Sequence, residues 1–378
     1  MTLVFLGGFN MDQHDQVLEQ WNFKKVKIGN LTYPLQDGVT AGAKPVYKRV
    51  RVTVPGRLFA LFKNIKGLVE QEPTGEFNYG EVSFGVNLRT HADVSLYDTL
   101  HVTESSRRAS IVRHAAEITR QQIGYQGGFL IEANNDFPYR HVGSGSSAAL
   151  FTATALAINK LLGEPIQNDK LPRFLAQNYG EEIDGNHEHL ITVQCTGGTS
   201  WMGLKGGVIL VDKSQLLQRM AIPEDLGYVI GVPDYPKPDA KGAMAREAGG
   251  IFQDILDKLP EMDKFHREVF EEVGLAIKES DIIRVGKGIY KAFSYDPFMQ
   301  LFENMFPGIK QLFWKLRDLM QKHSPVATFI SSAGPGIVTV CNKHREKEIM
   351  DCYEQLGIDY LLTPEPATTG YQYEILEK

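Results

Sequence analysis

One passage restricts the fold more than any other: a strand, a glycine-serine loop and an apolar helix in direct succession. Gly127-Gly128-Phe129-Leu130-Ile131-Glu132-Ala133 reads as a strand, and Asn134-Asn135-Asp136-Phe137-Pro138 turns out of it. Tyr139-Arg140-His141-Val142-Gly143-Ser144-Gly145-Ser146-Ser147 comes next, and an alanine- and leucine-rich helix runs on to residue 162. Such a loop presents closely spaced backbone N–H groups to a helix N-terminus, where the dipole adds roughly half a positive charge. Gly143, Ser144, Gly145, Ser146 and Ser147 are therefore candidate phosphate ligands. The hydroxyls of Ser146 and Ser147 either cap the helix or ligate a Mg²⁺ already bridged by phosphate oxygens. A plain helix cap in a tight turn has the same text. No Gly-Lys-Ser/Thr comes after it, so this is not a P-loop, and no GxGxxG with a distal acid occurs.

Strands and helices mix along the whole chain without internal period or low-complexity tract, which gives an α+β or α/β class. Residues 1–45 are loop-rich and read as an extension laid on the body; the opening MTLVFLGGFNMDQHDQV lacks a basic region and does not read as a secretory signal. Arg49 to Val54 alternates basic and β-branched residues as a strand, ended by Pro55-Gly56. Further strands are expected over 81–88 and 93–102, and a first helix over 106–122. A helix over 171–179 precedes a polar insert, 181–194. After a relaxed stretch at 213–225 the second half offers a strand over 228–233, helices over 239–277 and 297–323, a strand over 327–331, the loop Ser332-Ala333-Gly334-Pro335-Gly336, a strand over 337–340 and a helix over 344–356. The expected units are 1–45, 46–215 and 216–378, the last two packed as lobes that share a cleft.

Composition removes several classes of function. With 40 Lys plus Arg against 46 Asp plus Glu, the net charge of −6 creates no field that would draw the chain onto nucleic acid, so an anionic ligand must be held locally. Three cysteines, Cys195, Cys341 and Cys352, are too few for a disulfide framework and fit a reducing cytoplasm. No apolar run approaches the ~20 residues of a membrane span. His187-Glu188-His189 has metal-ligating residue types, but three adjacent residues cannot face one ion from a regular strand.

Three ordered motifs carry a resemblance. Pro138 to Ala149 resembles the phosphate-loop motif of the GHMP superfamily, P-x-x-x-G-L-G-S-S-A-A, with Ser144 in place of the leucine. Val54-Pro55-Gly56-Arg57-Leu58 is similar to its first-strand A-P-G-[KR] signature, and Ser331-Ser332-Ala333-Gly334-Pro335-Gly336 to its glycine-rich third motif. The resemblance implies an N-terminal domain of ribosomal-protein-S5 type, a C-terminal ferredoxin-like domain and an active site between them.

Many kinases of this superfamily carry an Asp shortly before a Gly-Gly strand, as base or electrostatic partner of the substrate hydroxyl. Between His187 and Gly207 this chain has only Glu188. The window instead reads Thr196-Gly197-Gly198-Thr199-Ser200, continuing to Gly206-Gly207-Val208-Ile209-Leu210-Val211-Asp212. That text is similar to the G-G-T-S segment of β-ribofuranosylaminobenzene 5′-phosphate synthases. This second resemblance implies phosphoribosyl transfer from phosphoribosyl pyrophosphate (PRPP) to the ring carbon of an aromatic acid, with loss of pyrophosphate and CO₂ and with Mg²⁺ as cofactor. No hydroxyl-activating acid is needed there, because decarboxylation supplies the electrons. In that reading Thr199, Ser200, Lys205 and Arg57 are the catalytic candidates, and Gly197, Gly198, Ser332 and Gly334 join the phosphate loop in binding PRPP. Ser146 and Asp184 are the metal candidates, with Glu181 and Glu182 beside them. His141, Arg246 and Glu247 are candidates for ligand contact. The assembly expected is a cytoplasmic homodimer acting on small molecules, without nucleic acid or membrane. The alternatives are an ATP-dependent GHMP small-molecule kinase, whose acid would be Asp184 or Glu188, and a non-catalytic ligand-binding module of the same fold.

Overall fold

The computed structural model describes residues 25–64, 80–136, 143–183, 186–193, 195–235, 258–332 and 334–378. Asp184, His141, Arg246 and Glu247, and the opening of the chain to residue 24, lie outside the described residues, and so do the expectations placed on them.

Strand β1 (Lys25–Lys27) opens the described chain. Strands β2 (Arg49–Phe62) and β3 (Gly80–Tyr97) form the long central pair, followed by the short β4 (His101–Val102), helix α1 (Ala109–Ile123) and β5 (Gly128–Asn135). Pro55-Gly56 does not end β2 as expected. The register against β3 shifts between Val54 and Gly56, and the strand continues beyond it. Proline lacks a ladder donor and is tolerated at such a bulge. Gly56 has no side chain because a Cβ there would stand 2.8 Å from the Leu88 carbonyl oxygen. The two strands expected over 81–88 and 93–102 are likewise one strand, β3, with only β4 separate.

Helix α2 (Ser146–Leu161) comes directly after the glycine-serine loop, and thirteen of its sixteen residues are buried. It is apolar on every face because α1, β2, β3 and a later helix enclose it. Helix α3 (Leu171–Gln177) leads to the hairpin β6 (Gly180–Glu182) and β7 (His189–Thr192). This hairpin is the polar insert, and β1 pairs with β7 to complete a three-stranded sheet, so the segment from Lys25 onward is strapped to the body. Helix α4 (Gly198–Lys205) precedes β8 (Val208–Asp212) and β9 (Gln215–Met220).

The second half contains β10 (Leu226–Gly231), helices α5 (Leu259–Lys278), α6 (Ile282–Phe293), α7 (Asp296–Met305) and α8 (Ile309–Met320), strands β11 (Ala327–Ile330) and β12 (Ile337–Asn342), helix α9 (Glu346–Glu354), and strands β13 (Leu361–Leu362) and β14 (Gln372–Glu377). The single helix expected over 297–323 is broken at Phe306-Pro307-Gly308, where proline cannot continue the hydrogen-bond ladder and Gly308 sits at φ 90°. One sheet has the order β11-β12-β10-β13. The larger sheet has the order β14-β2-β3-β5-β4, with β8 also on β3 and β9 on β8. Strand β14 lies antiparallel on β2, so the end of the sequence returns to the first sheet.

Two apolar cores result. Val50, Val52, Val54, Ala92 and Val94 face α1 and α2 in one. Leu58, Leu61, Val82 and Phe84 join Tyr228, Phe329 and the helices α5 to α8 in the other. Strands β2 and β3 thus pass from one core into the other, and the bulge at Pro55-Gly56 marks the crossing. Arg57 is the first residue beyond it.

Candidate active site

The loop before α2 is held by main-chain and side-chain bonds from three directions. Gly143 adopts φ 84° and lies so close to the Ser331 carbonyl that a Cβ would overlap it. The Ser331 hydroxyl accepts a hydrogen bond from Phe59 N–H (3.0 Å) and donates to the Gly143 carbonyl (2.7 Å). Arg57 N–H donates to the carbonyl of Ser144, a buried residue (3.3 Å). Gly145, at φ 65°, caps α2, and no side chain caps the helix. The Asn135 side chain donates to the Ser146 carbonyl (3.1 Å). The amides at the head of α2 are therefore not consumed by a side-chain cap.

Beside this loop lies a buried ion pair. Arg57 Nη1 donates to Glu81 Oε2 at 2.6 Å, and Glu81 is fully buried. Ser83 donates to Glu81 Oε1 (2.5 Å), and the Thr196 hydroxyl donates to Oε2. Gly198 must be glycine, because a Cβ would overlap this carboxylate, and its N–H donates to Thr196 Oγ1 (3.0 Å). Arg57 Nε is buried with no partner. A Cβ built on Gly145 would stand 3.5 Å from that Nε and 3.1 Å from Thr199 Oγ1. Gly145, Arg57 and Thr199 thus converge, with a spare buried N–H of a cation at the head of α2.

A second pair flanks the loop on the side of α1. Arg108, itself at φ 47°, donates to Ser147 Oγ and to Glu181 Oε2 (2.6 Å), while Tyr179 donates to Glu181 Oε1 (2.5 Å). Burial disfavours the Arg108 charge, but Glu181, Tyr179 and Glu182 outweigh it and raise its pKa. Burial pushes the Cys195 thiol up to about 12, which keeps it protonated and removes it as a nucleophile. Directly after Arg108, Ala109 and Ser110 line a cleft of about 220 Å³ with Leu100, His101, Val102, Arg113 and His187.

Several residues expected at the site have other positions. Lys205 is exposed at the far end of α4, about 10 Å along the helix from its head at 1.5 Å per residue. Ser200 is buried and shares its hydroxyl with Thr152 (2.9 Å), tying α4 to α2. Gly197, at φ 81°, forms the α4 cap, and with Gly198 it shapes the approach of Glu81. Gly334 donates its N–H to the Ser331 carbonyl (3.3 Å), and Ser332 adopts φ 56°, so both shape the loop that carries Ser331.

The carboxylate beside this window comes from outside it: Glu81 arrives from β3 and accepts from Thr196. The alternation Val82, Phe84, Val86 assigns Glu81 and Ser83 to a solvent face, but α4 covers that face. The signal available in the sequence is its mild polarity, since Ser83 and Gly85 accompany Glu81 where a solvated strand would carry more charge.

Among the described residues no group of three or more His, Cys, Asp or Glu side chains could hold a metal. Glu181 and Ser147 are engaged by Arg108. What remains is a serine hydroxyl, Ser146, which fits a Mg²⁺ that arrives on substrate phosphates and keeps most of its other ligands as water and phosphate oxygen. No described helix is long and apolar enough to cross a membrane.

Residues 110–198 match the family model for the GHMP kinases N terminal domain. A homoserine kinase of Caldanaerobacter subterraneus subsp. tengcongensis is 25% identical over 258 residues, covering 66% of this chain and 73% of that protein. The fold is similar to that of homoserine kinase from Cytophaga hutchinsonii (TM-score 0.58, 16% identity, 89% of this chain and 100% of that one). It is also similar to mevalonate diphosphate decarboxylase from Enterococcus faecalis, described for its ATP binding mechanism (TM-score 0.58, 15% identity, 88% and 100%). A related structure in complex with MVAPP, AMPPCP and magnesium aligns with a TM-score of 0.59 at 15% identity, over 88% of this chain and 100% of that one. The chain has the mixed α+β, GHMP kinase-like fold.

Proposed function

We propose that the protein is an ATP-dependent enzyme of the GHMP kind that transfers the terminal phosphoryl group of ATP to a small molecule bearing a hydroxyl group. The observation that carries this reading is Arg57: a cation fixed by Glu81, with a buried, unpartnered Nε beside Gly145 at the head of α2. A polyphosphate supplies the acceptors that this N–H and the free amides of α2 lack. The amides of the loop position the phosphates, Arg57 offsets charge on the transferred group, and the Thr199 hydroxyl, beside the same glycine, donates as well. Mg²⁺, when bound, neutralises phosphate charge, with Ser146 as its protein ligand. The cleft lined by Ala109, next to Arg108, is the candidate pocket for the base of the nucleotide. The similarity to homoserine kinases favours phosphoryl transfer over the phosphoribosyl transfer first expected.

Thermal unfolding with Mg²⁺ plus either ATP or PRPP tests the reading. ATP at a hundred times its Kd adds about 2.7 kcal/mol of stability. Stabilisation by PRPP and not by ATP would reverse the assignment.

A further inference from the structure

Kinases resembling this chain are expected to carry an acid ahead of the Gly-Gly strand; Glu188 in that window is exposed, and Thr196 lies nearer the phosphate loop. Its hydroxyl is bonded to a carboxylate from elsewhere in the fold. We infer that Glu81, delivered from β3, supplies the negative charge of this site and acts as a positioning residue that fixes Arg57 against the phosphate loop. The inference rests on the proposed phosphoryl transfer only for the identity of the anion that Arg57 meets.

Every group around Glu81 is a donor. Arg57 Nη1 and the hydroxyls of Ser83 and Thr196 all point at its two oxygens, which suits an ionised carboxylate, an acceptor only. With its hydrogen committed to Glu81, Thr196 Oγ1 is left to accept, and it does so from Gly198 N–H at the head of α4. Glu81 therefore orients both Arg57 and α4. It is wholly buried, so it does not touch substrate. Its backbone is clamped on both sides, opposite Phe62 of β2 and Val211 of β8, which leaves the carboxylate little freedom. With Nη1 held, the orientation of the planar guanidinium is set, and Nε turns toward Gly145.

Moving the charge by one contact tests the inference. Because Thr196 already touches Glu81, Thr196→Asp places a carboxylate on the same Arg57. Four proteins are compared: wild type, Glu81→Gln, Thr196→Asp and the double variant. Two readouts are taken, the ligand-free unfolding midpoint and the affinity for MgATP by calorimetry. Each single variant lowers the midpoint, one by loss of the charge and the other by crowding two carboxylates, and the double variant recovers it. Glu81→Gln weakens MgATP about tenfold, equivalent to about 1.4 kcal/mol, and the double variant regains most of that factor. A folded Glu81→Gln protein that binds MgATP as tightly as wild type overturns the positioning role, as does a folded double variant no tighter than the single. If Glu81→Gln does not fold, a folded double variant supports the assignment and an unfolded one overturns it. If the wild type ignores MgATP, the kinase reading fails alone, and magnesium pyrophosphate replaces ATP in the same comparison; a wild type that binds neither overturns both.

Discussion

His114 is fully buried and makes two hydrogen bonds that only the neutral ring permits. Nδ1 accepts from Gly29 N–H (2.9 Å), so Nε2 carries the proton and donates to the Asn178 carbonyl (2.9 Å). Burial pulls its pKa down to about 4, and that of the equally buried His266 likewise. Both histidines titrate near 6.5 once the chain unfolds, so the unfolded state binds more protons below that pH. Their contribution is fully present above pH 6.5 and is lost as the pH falls toward 4, at up to about 1.4 kcal/mol per pH unit for each ring. Urea unfolding at pH 7, 6 and 5 gives a falling midpoint, and His114→Gln makes the fall shallower. A single residue's surroundings are also where sequence reading reaches least far. Glu81 stands in a strand whose alternation is plain, and its burial depends on α4, which is separated from it by more than a hundred residues.

At the scale of elements, residues 143–145 ahead of α2 act through their backbone. Gly143 combines φ 84° with a carbonyl occupying the place of a side chain, whereas Gly124 at the end of α1 has φ 73° and open space around it. Gly124→Ala meets only the left-handed backbone penalty, about 1–2 kcal/mol. Gly143→Ala adds displacement of Ser331 and lowers the unfolding midpoint further, and it alone reduces MgATP affinity; equal effects from the two would mean that the loop tolerates being moved. The strand, loop and helix order is legible because its signals are local: glycine, serine and an alanine- and leucine-rich run. Pro55-Gly56 misleads as a stop signal because a bulge and a strand end use the same residues. The helix that carries Thr199 and Ser200 is not legible, because a helix of eight residues that is almost wholly buried shows no amphipathic period. Lys205, a candidate for its charge, is carried by that same helix to the opposite end.

Across the whole molecule, Ser331 joins the second half of the chain to the first. One hydroxyl serves Phe59 of β2 and the phosphate loop, at sequence separations of 272 and 188 residues. Ser331→Ala leaves a buried amide and a carbonyl without that partner, at a cost of about 1–3 kcal/mol. It lowers MgATP affinity together with the unfolding midpoint, measured by calorimetry and urea titration; loss of stability with unchanged affinity would confine the residue to packing. The α+β class and the order of the three motifs are legible at this scale. The meeting of Arg57, Glu81, Gly145 and Thr199 is not, because it depends on how β2, β3, α2 and α4 stack. The crossing of β2 and β3 from one core to the other also limits how the enzyme can breathe. Halves stitched by two long paired strands, bulged at the crossing but continuous through it, cannot swing apart like jaws on a flexible joint without breaking strand pairing. Admission and release must then rely on slight twisting of the shared ribbon and on local rearrangement at its borders.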